Sequence, residues 1–281
     1  MNVPKKAHQK SGRSKKASVD SKAKETAVKL FVHSVSATTT SEKRIKSVDK
    51  VLKTPFVYEY DDYLVMWKGF FYCIWYAEMD KDCQNIIFRI CYDSHFANLG
   101  EFFAAGFKVL TNEWTGMDQY RVDKYYFLTR HMLNRCLRLA LYDSDSRDFD
   151  FIDKIVNTIE PVSEFICHIC EIYLEELDNV LVRQVIWDPS DKAEVFSYII
   201  KPWIKVFAIT DDSRTSVCIN EYIFDELRKK YLKRGEDAFR VKLSKFLSTN
   251  LMEVAKDPET ESKNRKIMYH LAEQMKSYLK I

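Results

Sequence analysis

An all-α fold, an irregular α-solenoid of antiparallel helix pairs of the HEAT or armadillo kind, is what this sequence predicts. Three observations carry the expectation. Apolar residues recur at helical spacing through most of the chain beyond residue 37. Six Gly and six Pro in 281 residues are too few for the tight turns of a sandwich or barrel. The segments between these breakers are long and their connections short, so successive helices lie antiparallel. No strict repeat is visible, so the pairs are expected to be irregular.

Residues 1–37 are rich in Lys, Ser, Ala and Thr, with little apolar periodicity. They are expected to be a disordered basic tail, with one helical-repeat domain over 38–281. In the tail, Lys5, Lys6, Arg13, Lys15 and Lys16 have the layout of a two-cluster nuclear import signal; an ordinary basic tail is the competing reading. A first helix is expected from Thr40 to about Lys53. It turns Ile45, Val48 and Leu52 inward and Lys43, Arg44, Lys46, Lys50 and Lys53 outward, and Pro55 ends it. The next, about Asp61–Ala77, is apolar almost all round and should be buried on several sides. Another begins at Asp80 or Asp82 and carries Ile86, Ile87 and Ile90.

Phe102–Leu133 reads as two helices joined at Thr115-Gly116. Phe103, Phe107, Leu110 and Trp114 form one apolar stripe on the first. Asp118 is placed to cap the second, whose apolar face is Val122, Tyr126, Leu133 and Leu137. Lys124, His131, Arg135 and Arg138 stack into a basic stripe roughly opposite, a candidate phosphate-contacting face; a solvated or salt-bridged face is the competing reading. Leu141–Asp150 is an acidic surface loop, followed by a short helix to about Thr158 and a long one over Val162–Val185. In Ala193–Ile209, Pro202 should kink or restart the helix. Further helices are expected at about Val217–Leu232, Ala238–Ala255 and Glu261–Tyr278.

Net charge is only +3, but it is unevenly placed. Residues 1–24 hold eight Lys or Arg against Asp20, whereas 141–178 hold eleven acids against Arg147 and Lys154. Residues 226–281 carry fourteen basic and eight acidic residues. Such blocks fit polyanion contact at the ends and a basic protein partner in the middle. Seven cysteines with no signal peptide are expected to be reduced thiols in an intracellular compartment. The most apolar run, Tyr63–Ala77, contains Lys68 and is too short to span a bilayer.

Catalytic patterns are missing. There is no Gly-rich phosphate loop, no Gly-x-Ser-x-Gly and no His-Glu-x-x-His. Cys167 and Cys170 have Cys-x-x-Cys spacing, but a zinc site needs a second close pair, and the other five cysteines are isolated. They read as buried helix thiols. His168, inside an apolar helix, reads as a hydrogen-bonded core residue. No enzyme activity, cofactor or metal is expected.

Three segments carry a family resemblance. Trp67-Lys68-Gly69-Phe70-Phe71-Tyr72-Cys73-Ile74-Trp75 resembles the Trp-Lys-Gly-Leu-Phe-Tyr-x-x-Trp segment of the eukaryotic nucleolar ribosomal RNA-processing protein 1 family. Glu113 to Tyr126, with Glu113, Trp114, Asp118, Arg121, Asp123 and Lys124, is similar to its Glu-Trp-x-x-Ile-Asp-x-x-Arg-x-Asp-Lys signature. His168 to Leu177 is similar to its His-x-x-Asp-Ile-Tyr-Leu-x-Glu-Leu helix, with Glu171 where Asp is usual. The similarity spans about 38–230 in the family's order. It resembles the short fungal form, without the basic C-terminal extension of animal members but with a basic N-terminal extension.

The resemblance implies a helical, non-enzymatic assembly factor of the large ribosomal subunit, acting in the nucleolus. It implies support of precursor RNA processing around the second internal spacer, with pre-ribosomal RNA and other assembly factors as partners. A nuclear adaptor that binds proteins only is the alternative. Candidate RNA contacts are Lys124, Arg135 and Arg138 with Lys43, Arg44, Lys46 and Lys50; the signature residues are expected to be structural.

Overall fold

The computed structural model describes residues 10–35, 40–78, 81–143, 150–159, 162–181, 188–234 and 236–279. Among them the chain forms twelve α-helices and no strand, and each helix packs mainly against near neighbours in sequence, as the solenoid expectation requires. None of the described helices is long and apolar enough to cross a membrane. The chain divides into two compact units, Met1–Val109 and Leu110–Ile281.

The first unit contains α1 (Lys10–Ser34), α2 (Ser41–Leu52), α3 (Tyr60–Trp75), α4 (Lys81–Tyr92) and most of α5 (Leu99–Glu113). Helix α3 begins at a capping box: the Glu59 side chain receives the backbone N–H of Asp62, whose carboxylate accepts the Glu59 N–H at 2.9 Å. Its Tyr63, Trp67 and Phe70 are buried with Phe96 and Phe102, ring centroids 4.8–6.2 Å apart. The Trp67 indole N–H donates to the Phe102 carbonyl at 2.7 Å, so the largest core side chain leaves no donor unsatisfied. Each such aromatic contributes about 2–3 kcal/mol by leaving water.

The expected disordered tail is corrected over residues 10–35, the part of 1–37 that the structure describes. Residues 10–34 form α1, and its last turns pack on α3. Val28, Phe31 and Val35 fall at i, i+3 and i+7 and are buried. Phe31 lies 4.8 Å from Phe70, and Lys24 pairs with Asp62 at 2.7 Å. The long Lys- and Ser-rich approach masked this short apolar stripe in the sequence.

The second unit contains α6 (Val122–Arg138), α7 (Asp150–Ile159), α8 (Ser163–Leu181), α9 (Pro189–Ile209), α10 (Ser213–Cys218), α11 (Asp237–Ala255) and α12 (Ser262–Lys276). Contacts run mainly between α6 and α8, α9 and α11, and α11 and α12. Pro202 neither ends nor restarts α9. A proline inside a helix costs about 3 kcal/mol, and the neighbouring Trp203, Ile204, Val206 and Phe207 are buried, so packing outweighs it. After α10 the chain winds on as π-helical stretches, Ile219–Asp225 and Arg228–Leu232.

Two polar devices fix the α10 end of this unit. The Asp212 carboxylate caps α10 through the Thr215 N–H at 2.7 Å and also accepts the Ser163 hydroxyl at 2.7 Å. These hydrogen bonds hold its carboxyl down at about 2. Buried Asn264 accepts from the Ser216 hydroxyl at 2.8 Å and donates to the Thr210 carbonyl at 2.7 Å.

Candidate functional site

The three segments that carry the resemblance fold into two separate contacts. In the first unit, Trp67 is core, Lys68 is exposed, and Trp75 stacks on Phe71 at 5.7 Å. Gly69 has a steric reason. A Cβ placed there would lie 2.6 Å from the Phe31 ring, so only glycine lets α1 approach α3 this closely.

In the second unit, the other two segments meet across α6 and α8. Trp114, in a 3-10 turn at Trp114–Gly116, stacks on Phe165 at 4.2 Å and faces His168 at 6.0 Å. Tyr126 covers the His168 ring at 4.4 Å. Burial, and secondarily the Arg130 charge, push the His168 imidazole down to about 4, so it is neutral at physiological pH. Its Nε2 has no hydrogen-bond partner among the described residues, where the sequence reading expected one.

Asp118 caps the turn before α6 rather than the helix itself, whose N-cap is Arg121. Its Oδ1 accepts the Tyr120 and Arg121 N–H groups at 3.0 Å, and its other oxygen pairs with the Arg121 guanidinium. Asp123 is exposed and Glu113 half-buried.

Sequence reasoning missed the polar centre of this contact. Glu176, 3% exposed, receives the Arg130 guanidinium at 2.6 Å, the Asn134 amide at 2.9 Å and the Asn179 amide at 3.3 Å. Arg130 reaches Glu175 as well, at 3.0 Å. The signal was present: Glu176 stands on the α8 stripe formed by Ile169, Ile172, Tyr173, Leu177 and Val180, where an acid requires a partner.

The expected basic stripe does not emerge as a surface. Lys124 is buried at 4% exposure, together with Tyr125, Leu128, Thr129 and Met132. The inward face of α6 is therefore rotated from the expected one, leaving Tyr126 exposed and Val122 half-buried. Lysine tolerates this because its four-carbon stem packs as an apolar chain. His131 lies over Phe127 at 4.4 Å, and burial lowers its imidazole. Arg135 and Arg138 are half-exposed. On α2, Arg44 is also buried, not outward: its guanidinium donates to the Tyr76 carbonyl at 3.2 Å and sits 5.9 Å over the Tyr76 ring. Lys43, Lys46 and Lys50 are exposed, with Lys46 paired to Glu42 at 2.6 Å. Arg13, Lys15 and Lys16 lie in α1; Lys5 and Lys6 lie outside the described residues. Of the acidic loop, 144–149 lie outside them too.

No catalytic arrangement is assembled among these groups. The described residues contain no cluster of three His, Cys, Asp or Glu able to hold a metal ion. The expectation of seven reduced cysteines is corrected at one pair: Cys167 of α8 and Cys218 of α10 form a disulfide, their Cα atoms 5.4 Å apart. Tertiary packing brings together two residues 51 positions apart that appeared isolated in sequence. Cys170, one turn from Cys167, is a buried thiol that burial pushes well above its ordinary value.

A family model described as "Nucleolar protein, Nop52" matches residues 17–272. Ribosomal RNA processing protein 1 homolog A of Homo sapiens is 28% identical over 216 residues, 73% of this chain and 44% of the human protein. Ribosomal RNA processing protein 1 homolog B of Homo sapiens is 25% identical over 178 residues, covering 59% of this chain and 23% of the relative. The Dictyostelium discoideum homolog is 23% identical over 257 residues, covering 76% and 51%. The chain thus spans about half or less of the length of these curated relatives. With the model match covering most of the chain and all three signature segments, this protein belongs to the Nop52 nucleolar protein family.

Proposed function

We propose that this chain is a non-enzymatic assembly factor of the large ribosomal subunit, active in nucleolar pre-ribosomal particles. In this reading it supports processing of precursor ribosomal RNA around the second internal spacer by holding RNA and other assembly factors together. The observation that carries the proposal is the family match over 17–272, joined by relatives whose names state ribosomal RNA processing. Helical units whose signature aromatic residues Trp67 and Trp114 are buried fit a scaffold better than a catalyst. Residues 1–16, with Lys5, Lys6, Arg13, Lys15 and Lys16, would serve nuclear import.

RNA contact falls to the candidates left with solvent exposure: Lys43, Lys46 and Lys50 on α2, with Arg135 and Arg138 at the end of α6. Such contacts would be to phosphates, set by charge and shape. The adaptor reading, proteins only, gains from one observation: Lys124 and Arg44 face inward and cannot touch RNA.

Depletion of the protein, followed by hybridisation of precursor RNA with spacer-specific probes, tests the proposal. Accumulation of precursors that retain the second internal spacer is expected; a normal precursor pattern overturns it. Salt-dependent affinity of the purified protein for structured RNA, weakened in a Lys43→Glu/Lys46→Glu/Arg138→Glu variant, separates scaffold from adaptor.

A further inference from the structure

Helices α1 and α2 of the first unit leave between them a groove of about 790 Å³, and nothing in the described chain fills it. Its α1 wall runs from Lys22 to Ser34, which at 1.5 Å per residue is about 18 Å, the length of a three-turn helix. The floor is Phe31 and Val51, both buried, with Leu30 standing 58% exposed at the lip. Ala23 and Ala27 on α1 keep that wall low, so that another helix can come close.

The hydroxyls of the walls make no demand on a ligand. Thr26 donates to the Lys22 carbonyl at 2.7 Å, Ser47 to Lys43 at 2.9 Å, Thr54 to Lys50 at 2.9 Å and Ser34 to Phe31 at 2.7 Å. Each is satisfied by its own helix, and what faces the groove is hydrocarbon. A nucleic acid finds few donors there for its phosphates, whereas an apolar helix face finds a matching surface.

Charge selects the kind of helix. Among the described residues, the only charged ones lining the groove are Lys22 and Lys50, one on each wall, and none is an acid. Neither lysine pairs with a carboxylate among the described residues, whereas Lys24, Lys29 and Lys46 nearby do so. A helix seated here would have its flanks against these two ammonium groups.

We propose that the α1–α2 groove is a docking site for an amphipathic helix of a protein partner, apolar on one face and acidic on its flanks. The partner helix completes a three-helix layer: its apolar residues at i, i+3, i+4 and i+7 cover Leu30, Phe31 and Val51, and its carboxylates meet Lys22 and Lys50. The inference goes beyond the role in precursor RNA processing and stands without it, because it concerns binding by the purified chain.

The test uses the full chain and two stapled, fluorescent model helices of about 16 residues, identical in their leucine face but flanked by Glu in one and Lys in the other. The Glu-flanked helix should bind, measured by anisotropy, and the Lys-flanked one at least about tenfold more weakly. Leu30→Asp, at an exposed position the fold does not need, and Ala27→Trp, which fills the groove, should each weaken binding by about tenfold or more. Lys22→Glu/Lys50→Glu should reverse the preference. The proposal is overturned if neither helix binds, if both bind alike, or if Leu30→Asp leaves affinity unchanged. It is equally overturned if a single-stranded RNA oligonucleotide loses affinity on Leu30→Asp and Ala27→Trp while the Glu-flanked helix does not.

Discussion

The contact of α1 on α3 and the contact of α6 on α8 solve the same problem, holding one helix on another, by opposite means. The first rests mainly on apolar packing, with the Lys24–Asp62 pair beside it, and depends on the absence of a side chain: Phe31 enters the space that Gly69 leaves open and meets Phe70. The second is built around a buried carboxylate, Glu176, with Arg130, Asn134 and Asn179 on it, and a neutral histidine clustered with the Trp114 and Tyr126 rings. An apolar contact tolerates small sliding of one helix along the other. A charge that must find three donors does not, so the α6–α8 pair is held in one register.

The comparison can be broken most severely at Glu176. Glu176→Ala removes three hydrogen bonds from the α6–α8 contact and leaves Arg130 with Glu175 alone, and a loss of about 3 kcal/mol is expected in urea unfolding. An Arg130→Met/Glu176→Leu double variant should recover most of that loss. If it does not, the network contributes more than the pairing of its charges.

The histidine comes next, and its effect depends on pH. In the folded chain His168 is neutral down to about 4, whereas in the unfolded chain it takes a proton near 6.5. The unfolded state therefore binds more protons between these values, and stability falls as pH drops below about 6.5. The expected loss is about 2–3 kcal/mol by pH 4, with no contribution above neutrality. In His168→Phe, the slope of stability against pH over this window should flatten. An unchanged slope would assign it to other groups.

The apolar contact should respond more mildly. Gly69→Ala is expected to cost about 1–2 kcal/mol, because the Phe31 ring must move. It should also expose α1 to proteolysis before the rest of the chain. Phe31→Leu in the same molecule should relieve part of that cost, a coupling read from a double-mutant cycle. Smallest of all, Lys46→Glu on the outer face of α2 should leave the melting temperature unchanged, since its pair with Glu42 is fully in solvent. Lys46→Glu, one of the three changes in the RNA-binding test, thus carries no folding artefact, which a change at buried Lys124 would.

Much of this architecture was legible in the residues alone. The apolar periods read over about 40–53, 61–77 and from 102 onward place helices within a few residues of where they form, at 41–52, 60–75 and 99–113, and Trp114, Phe103, Phe107 and Leu110 are core as their spacing requires. Periodicity states which residues share a face of a helix. It does not state which face a neighbour covers, because that depends on the direction from which the neighbour arrives. The burial of Lys124 and Arg44 was decided in this way, and Arg44 finds its acceptor, the Tyr76 carbonyl, 32 positions away. So was the pairing of Arg130 with Glu176, 46 positions apart, and of Cys167 with Cys218. The helicity of α1 lay between the two cases. Its stripe of Val28, Phe31 and Val35 is written in the sequence, but three residues acquire meaning only when Phe70 and Gly69 stand opposite them. Local spacing by itself determined the helices and their apolar stripes. Tertiary structure alone decided which charges went inside, because a buried charge is tolerated only where a distant part of the chain supplies its partner.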